Sequence, residues 1–346
     1  MKGFSFSTTP YIGFEEEVLR LRNRNRPDSQ SRTYLDWRYL GQEMSAPPEI
    51  FWARAPSGDY VGMTSLIYRP YWLDNTPFAF PVLGDISLNE EYRGTGLADH
   101  FFSYISKQIK SKKCPCALVI PNEAARKVLG RCGWNEREKL VHHVLLLNPE
   151  KKFLALVKPK LFSQILSSFY RIFLAARLKT IPGSELSLNI IEHFDEEFNV
   201  FWKALEKQDF CLRDRSKKSL NWRYGEYPAD KTFFIATCHV RETLCGYLVY
   251  VINDESSTII IYEVITLQEK YLPGFIKRFI NYLQKNGKFT SIRIVTNEYH
   301  PYAKKLKRIG FAPRKGEQSI QVFIPDHPEV PLNKCRWFLT AGDKDV

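Results

Sequence analysis

The sequence predicts an α+β fold built twice: two units in tandem, each a mixed, mainly antiparallel sheet flanked by helices. Three observations predict it. Segments recur in the same order about 177 to 185 residues apart. Within each copy, strand-like runs alternate with amphipathic helical ones. The chain has 346 residues, of which 44% are hydrophobic and 25% charged, enough for two domains with cores of their own and too apolar for general disorder.

The repeat is legible in short signatures. Asp36-Trp37-Arg38-Tyr39 returns as Asn221-Trp222-Arg223-Tyr224, and Tyr60-Val61-Gly62 returns as Cys245-Gly246-Tyr247. Leu83-Gly84-Asp85-Ile86-Ser87 matches Ile261-Tyr262-Glu263-Val264-Ile265, and Arg131-Cys132-Gly133-Trp134 matches Arg308-Ile309-Gly310-Phe311. Fixed order with small drift marks an internal duplication. The expected units are residues 1–148 and 185–346, joined by a connector at 149–184.

Within the first copy, a strand near the N-terminus leads into a helix opened by Glu15, Glu16 and Glu17, where acidic side chains favour the positive end of the helix dipole. Strands follow at Ile50 to Ala53 and around Gly62. Pro81 to Leu88 and Ala117 to Pro121 are apolar and rich in β-branched residues, as buried strands are. Leu97 to Lys110 is helical, with apolar residues at 97, 101, 102, 105 and 109. A short helix from Asn122 ends at Gly133, a residue suited to the left-handed C-cap. A last strand runs through His142 and His143.

Charge separates the connector from both copies. The net charge is +12, and residues 149–184 hold seven basic side chains against one acidic. Each flanking copy is near balance, which argues against a nucleic-acid-binding face. From Leu161 the apolar residues Phe162, Ile165, Leu166, Phe169, Ile172 and Phe173 form one helical stripe, with Pro159 starting or breaking the helix. Packing between the two copies is the expected use of that stripe. The alternative is contact of 160–177 with an anionic membrane surface or a partner. No uncharged run approaches the roughly 18 residues of a spanning helix. Seven scattered cysteines and an N-terminus without an apolar signal core point to a reducing, cytoplasmic setting.

The strongest chemical signal is Glu91-Tyr92-Arg93-Gly94-Thr95-Gly96-Leu97-Ala98, between a strand and a helix. Two glycines allow close backbone approach, and the helix start offers free N–H groups to phosphate. Neither a dinucleotide fingerprint nor a P-loop is present: the third glycine of the one and the Gly-Lys-Ser/Thr of the other are missing. A tight turn that simply needs glycine is the competing reading.

This loop resembles the acetyl-CoA motif of the GNAT (Gcn5-related N-acetyltransferase) superfamily, whose Gln/Arg-x-x-Gly-x-Gly/Ala pattern Arg93 to Ala98 fits. The following strand, Asn122 and the helix ending Gly133-Trp134 resemble that family's next block. The likeness is good over about residues 50–147, and 185–346 looks like a second, degenerate unit. It implies acetyl-CoA held by Arg93, Gly94, Thr95, Gly96, Leu97, Ala98 and Asn122, with backbone groups of Ile86, Ser87 and Leu88 facing the thioester. It implies an N-acetyltransferase in which a primary amine of a small molecule, an amino sugar or amino acid derivative, attacks directly. Asp85 is the first candidate for the proton acceptor, and Glu263 is its counterpart in the second copy. No metal is expected.

The departures open alternatives. The second copy has Thr266 to Gly274, with one glycine and Pro273, where the cradle would be, so it is expected to shape the acceptor site and not to bind CoA. The tyrosine that in many members protonates the thiolate is replaced by Leu129 and Leu306. A Fem-type aminoacyl or acyl transferase of the cell envelope and a non-catalytic CoA-binding regulator are the rival functions. Other residues carry blander expectations: His142 and His143, Cys132 and His100 as structural or neutral groups, Trp37 and Trp222 as packing residues, and Lys304 to Arg308 as a solvated face. Cys114-Pro115-Cys116 is too tight a pair for zinc.

Overall fold

A computed structural model describes residues 3–41, 46–112, 116–156, 160–228, 231–325 and 335–344. Pro159, Cys114 and Pro115 lie outside them. The first copy contains β1 (Ser5–Pro10), α1 (Glu15–Asn25), α2 (Arg32–Leu40), β2 (Glu49–Arg54), β3 (Tyr60–Leu73), β4 (Thr76–Leu88), α3 (Leu97–Ser111), β5 (Ala117–Val119), α4 (Glu123–Arg131) and β6 (Asn135–Leu146). The connector forms α5 (Glu150–Leu156) and α6 (Lys160–Lys179). The second copy contains β7 (Leu186–Ile191), α7 (Glu196–Ala204), β8 (Phe210–Arg213), α8 (Lys217–Leu220), β9 (Phe234–Val240), β10 (Thr243–Asn253) and β11 (Thr258–Thr266). It continues with α9 (Tyr271–Asn286), β12 (Ser291–Asn297), α10 (Ala303–Ile309), β13 (Ala312–Phe323) and β14 (Arg336–Trp337). The fold is the expected tandem of mainly antiparallel sheet units with helices against them.

The two units share one sheet, because each gives its last long strand to the other. The order is β1-β2-β3-β4-β5-β13-β6-β12-β11-β10-β9-β7. β13 pairs with β5 of the first copy, setting Gln321 opposite Val119, while β6 pairs with β12 of the second, setting Ser291 opposite Leu146. β13 and β6 also pair with each other. Each copy's sheet therefore requires a strand supplied by the other half of the chain, and neither edge of that joint is left bare for aggregation. β8 adds a further tie by pairing with β3, Tyr71 opposite Arg213.

The Trp-Arg-Tyr repeats explain themselves at this joint. In both copies a serine begins the segment: Ser31 Oγ accepts from Tyr34 N at 3.1 Å, and Ser216 Oγ accepts from Ser219 N at 3.4 Å. The helical turns so started bring Trp37 and Trp222 together, ring centroids 4.8 Å apart and 15° from parallel. Each indole N–H donates to the other tryptophan's carbonyl, at 2.9 and 3.2 Å. The reciprocal bonds mark a local two-fold relation between the copies. Gly41 is needed for it, since a Cβ there would sit 1.8 Å from Trp222 Nε1.

The stripe on α6 corrects an expectation. Ser163, Ser167, Leu174 and Leu178 form its buried face, and Leu174 and Leu178 join the second copy's core. Phe162, Ile165, Phe169, Ile172 and Phe173 face outward. The helix turned its small and aliphatic residues inward because Ser163 and Ser167 satisfy their own hydroxyls on carbonyls of the helix, at 2.7 and 2.8 Å, and allow close approach.

Candidate functional site

β4 positions the site. Its register with β3 slips between Ser65 opposite Gly84 and Met63 opposite Ser87, so Asp85 and Ile86 together oppose Thr64. This is a β-bulge, and it bends the strand and re-aims its side chains. Asp85 takes φ +49, and Thr64 Oγ1 fastens the bend by donating to Gly84 O at 2.8 Å. On its other edge β4 pairs with β5 only at Val82 opposite Leu118, after which the strands part.

A cavity of about 380 Å³ fills the parting. Its β4 wall includes Leu83, Gly84, Asp85 and Ile86, and its β5 side includes Val119 and Ile120. Arg26 and Asp28 come from the segment after α1 and Tyr71 from β3. Gln318 and Ile320 come from the exchanged β13, and Leu339, Asp343 and Lys344 from the C-terminal segment. The second copy thus closes the first copy's cleft. One end is apolar (Tyr71, Val82, Leu118, Ile320, Leu339), and the other carries charges of both signs.

Asp85 is held, not free. Its side chain is 1% exposed. Arg38 Nε lies 3.0 Å from Oδ2, Arg22 Nε donates to Oδ1 at 3.2 Å, Arg26 lies at 3.8 Å, and Tyr39 Oη donates to Oδ2 at 2.7 Å. Burial alone would raise its pKa. Arg38, then Arg26 and Arg22, with the tyrosine bond, override burial and bring it down to about 2. Such a carboxylate stays ionised and is a feeble proton acceptor at neutral pH. Its neighbours are paired too: Asp28 with Arg22 at 2.8 Å, and Asp343 with Arg215 at 2.9 Å. Lys344 donates to Gln318 Oε1, and burial lowers its pKa. Burial and the charge of Asp343 raise the pKa of Tyr71, keeping it a neutral hydroxyl.

Glu263 repeats the arrangement and does not reach the cavity. Tyr224 and Tyr247 donate to it at 2.7 and 2.6 Å, and Arg215 and Arg223 lie at 2.8 and 3.2 Å. Arg38 and Tyr39 of the first Trp-Arg-Tyr thus grip Asp85 as Arg223 and Tyr224 of the second grip Glu263. Arg215 and Asp343 stand between Glu263 and the cavity.

Beyond β4, the turn 90–92 leads to the glycine loop. Gly94 has φ +76 and Gly96 φ +86, and a Cβ on either would meet nothing within 4 Å. The glycines therefore serve backbone conformation beside open space, not tight packing. Thr95 Oγ1 donates to Tyr92 O at 2.8 Å and accepts from Leu97 N at 3.4 Å. Among the described residues, the N–H groups of Gly94, Thr95 and Gly96 have no protein acceptor. α3 starts directly after them and adds its dipole. Arg93 folds back, donating to Leu88 O at 3.0 Å and to Asn25 Oδ1 at 3.2 Å, and so braces the loop. Leu97 is buried in the apolar cluster beneath. Ser87 Oγ donates to Asp85 O at 3.1 Å within the bulge. Asn122 lines the cavity and caps α4, accepting from Ala125 N at 2.9 Å.

The second copy has the same parting of strands, but the C-terminal segment fills it, and a cavity of about 450 Å³ lies only beyond, along Ile265, Thr266, Leu267, Pro301, Tyr302 and Phe338. β11 and β12 pair from Thr258 to Ile261 and then diverge. The C-terminal segment enters there: Thr340 bridges Thr296, Leu339 N donates to Asn297 Oδ1 at 3.1 Å, and Asp343 bonds Arg215. A Cβ on Gly342 would come within 2.0 Å of Tyr224 Oη, so the insertion is tight. Gly274 lies inside α9 and faces Gly183 and Leu186 instead of forming a turn. Leu129 and Leu306, at the tyrosine positions, are wholly buried.

Sequence reasoning missed Arg22, Arg26, Tyr71, Gln318 and Lys344. No local motif flags them, since they converge from four separate segments. The place of Trp337 to Asp343 in the second cleft has no local signal either.

Residues 14–134 match the Acetyltransferase (GNAT) family. No curated protein matches the chain. Among solved structures, a probable N-acyltransferase of unknown function from Enterococcus faecalis superposes with a TM-score of 0.66 at 11% identity, covering 93% of this chain and 72% of that one. A GCN5-related N-acetyltransferase from Anabaena variabilis gives 0.64 at 12%, covering 92% and 72%. A tandem GNAT protein from the clavulanic acid biosynthesis pathway gives 0.57 at 12%, covering 92% of this chain and 98% of that one. At these identities the likeness is one of fold, and it extends over both copies.

Proposed function

We propose, from the premise that residues 14–134 are a domain of the Acetyltransferase (GNAT) family, that the chain transfers an acetyl group from acetyl-CoA to a primary amine of a small molecule. The observation that carries the reading is the run of amides at Gly94 to Gly96 at the start of α3, which have no acceptor among the described residues, with open space where a Cβ on either glycine would lie. The diphosphate of the thioester carrier would bind those amides. The acyl end would reach along β4 to the parted strands, where the bulge at Asp85 and Ile86 frees backbone N–H groups for the developing oxyanion.

In this reading Asp85 is a positioning residue. It orders Arg22, Arg26 and Arg38 around the bulge, and the amine loses its proton to solvent in the cavity. Arg26 and Lys344, both lining the cavity, favour an acceptor that carries a carboxylate beside its amine, as an amino acid derivative does. Tyr71 offers a neutral hydroxyl in place of the tyrosine that Leu129 replaces. The second copy builds the acceptor chamber through β13 and its C-terminal segment.

The missing tyrosine also favours a second reading, a CoA-binding regulator without turnover. Acetyl transfer from acetyl-CoA to a panel of amines, followed by thiol release, separates the two. Release with at least one amino-acid-like acceptor supports the transferase. Saturable acetyl-CoA binding with no release on any acceptor supports the regulator.

A further inference from the structure

We infer that α6 is a docking face for an anionic membrane surface. Leu161, Phe162, Ile165, Phe169, Ile172 and Phe173 are 43 to 69% exposed. They are six of the eleven large hydrophobic side chains that stand exposed among the described residues, gathered on one helix. At 100° per residue they span an arc of roughly 120°, opposite the face buried on the second copy's core. A helix of 20 residues is about 30 Å long, so the strip is long enough to lie in an interface plane.

Charge selects the occupant. α6 holds Lys160, Arg171, Arg177 and Lys179 and no acidic residue. Arg177 donates to the carbonyls of Lys307 and Arg308 at 2.8 and 2.6 Å, which brings the basic end of α10 beside the strip. An apolar strip with Lys160 at one end of its helix and Arg177, Lys179 and the basic end of α10 at the other fits lipid chains beneath phosphate headgroups. A second copy of this chain fits poorly, because packing two such helices together sets the same cations against each other. No described helix is long and apolar enough to cross a membrane, so the contact is peripheral. The inference does not depend on the transferase reading.

The test is vesicle flotation of the full chain, with phosphatidylcholine alone and with phosphatidylcholine containing phosphatidylglycerol. The protein is expected to float with the anionic vesicles and to partition at least tenfold less onto the neutral ones, since each cation near an anionic leaflet contributes roughly fivefold. Phe169→Glu with Phe173→Glu replaces two exposed side chains, leaves the buried face intact, and is expected to abolish flotation while circular dichroism and melting temperature hold. Lys160→Glu with Lys179→Glu, at the two ends of the strip, is expected to remove the preference for anionic vesicles. Absence of flotation, or equal flotation of the phenylalanine variant, would overturn the inference. So would a dimer in light scattering that the phenylalanine variant abolishes, since the face would then be an interface between copies.

Discussion

Consider Gly94→Asp in the cradle. Because a Cβ at Gly94 meets no atom within 4 Å, the unliganded fold has room for the side chain. The cost without ligand is backbone strain at φ +76, about 1–2 kcal/mol. Unfolding entropy of roughly 2.1 cal/mol/K per residue, over 346 residues, makes each kcal/mol worth about 1.4 °C by the same scaling. The variant should therefore melt about 1–3 °C lower than the parent. Acetyl-CoA at one hundred times its dissociation constant stabilises the parent by about 2.7 kcal/mol, or roughly 4 °C. In the variant that shift should vanish, because a carboxylate would stand where the diphosphate binds. A thermal-shift titration of both proteins reads this directly. A full shift in Gly94→Asp would refute the cradle, and a collapse of the unliganded melting temperature would refute the claim that the space there is open.

Four further outcomes follow from the geometry. Asp85 has a native pKa of about 2 against 3.8 unfolded, so its stabilisation is present above pH 4 and is lost as pH falls towards 2. By linkage this is worth about 2 kcal/mol, and acid titration of Asp85→Asn by circular dichroism should lack that step. His143, buried against Thr296 and lowered to about 4, should cost stability as pH falls from 6.5 towards 4, and His143→Gln should flatten that range. Trp37→Ala should cost about 3–5 kcal/mol in denaturant unfolding, and adding Trp222→Ala should cost far less than a second such loss, because the two rings form one contact. Arg38→Met should cost about 3–5 kcal/mol by leaving buried Asp85 short of its nearest guanidinium; a near-neutral result would show that Arg22 and Arg26 suffice.

The duplication and the glycine loop were legible because both are local. Trp-Arg-Tyr recurs as a string, and two glycines between a strand and a helix restrict the backbone to few uses. The carboxylates at 85 and 263 were legible as equivalents for the same reason. Their electrostatic setting was not, because Arg22 and Arg215 reach them through the fold and not through a repeat. The strand exchange was hidden as well. β6 and β13 have the alternation of half-buried strands, which says that each pairs but not with which copy's sheet. The outward turn of the α6 stripe was misjudged because amphipathic spacing gives two faces, and only packing decides which is covered. There Ser163 and Ser167 made the polar-looking face the close-fitting one.

Amide hydrogen exchange of the full chain, with and without acetyl-CoA, bears most directly on the site. Exchange should slow at residues 94–99 and along 84–88, and stay unchanged at 266–272 in the second copy. Slowing confined to 266–272, or no slowing anywhere at saturating acetyl-CoA, would contradict the assignment of the carrier to the first copy.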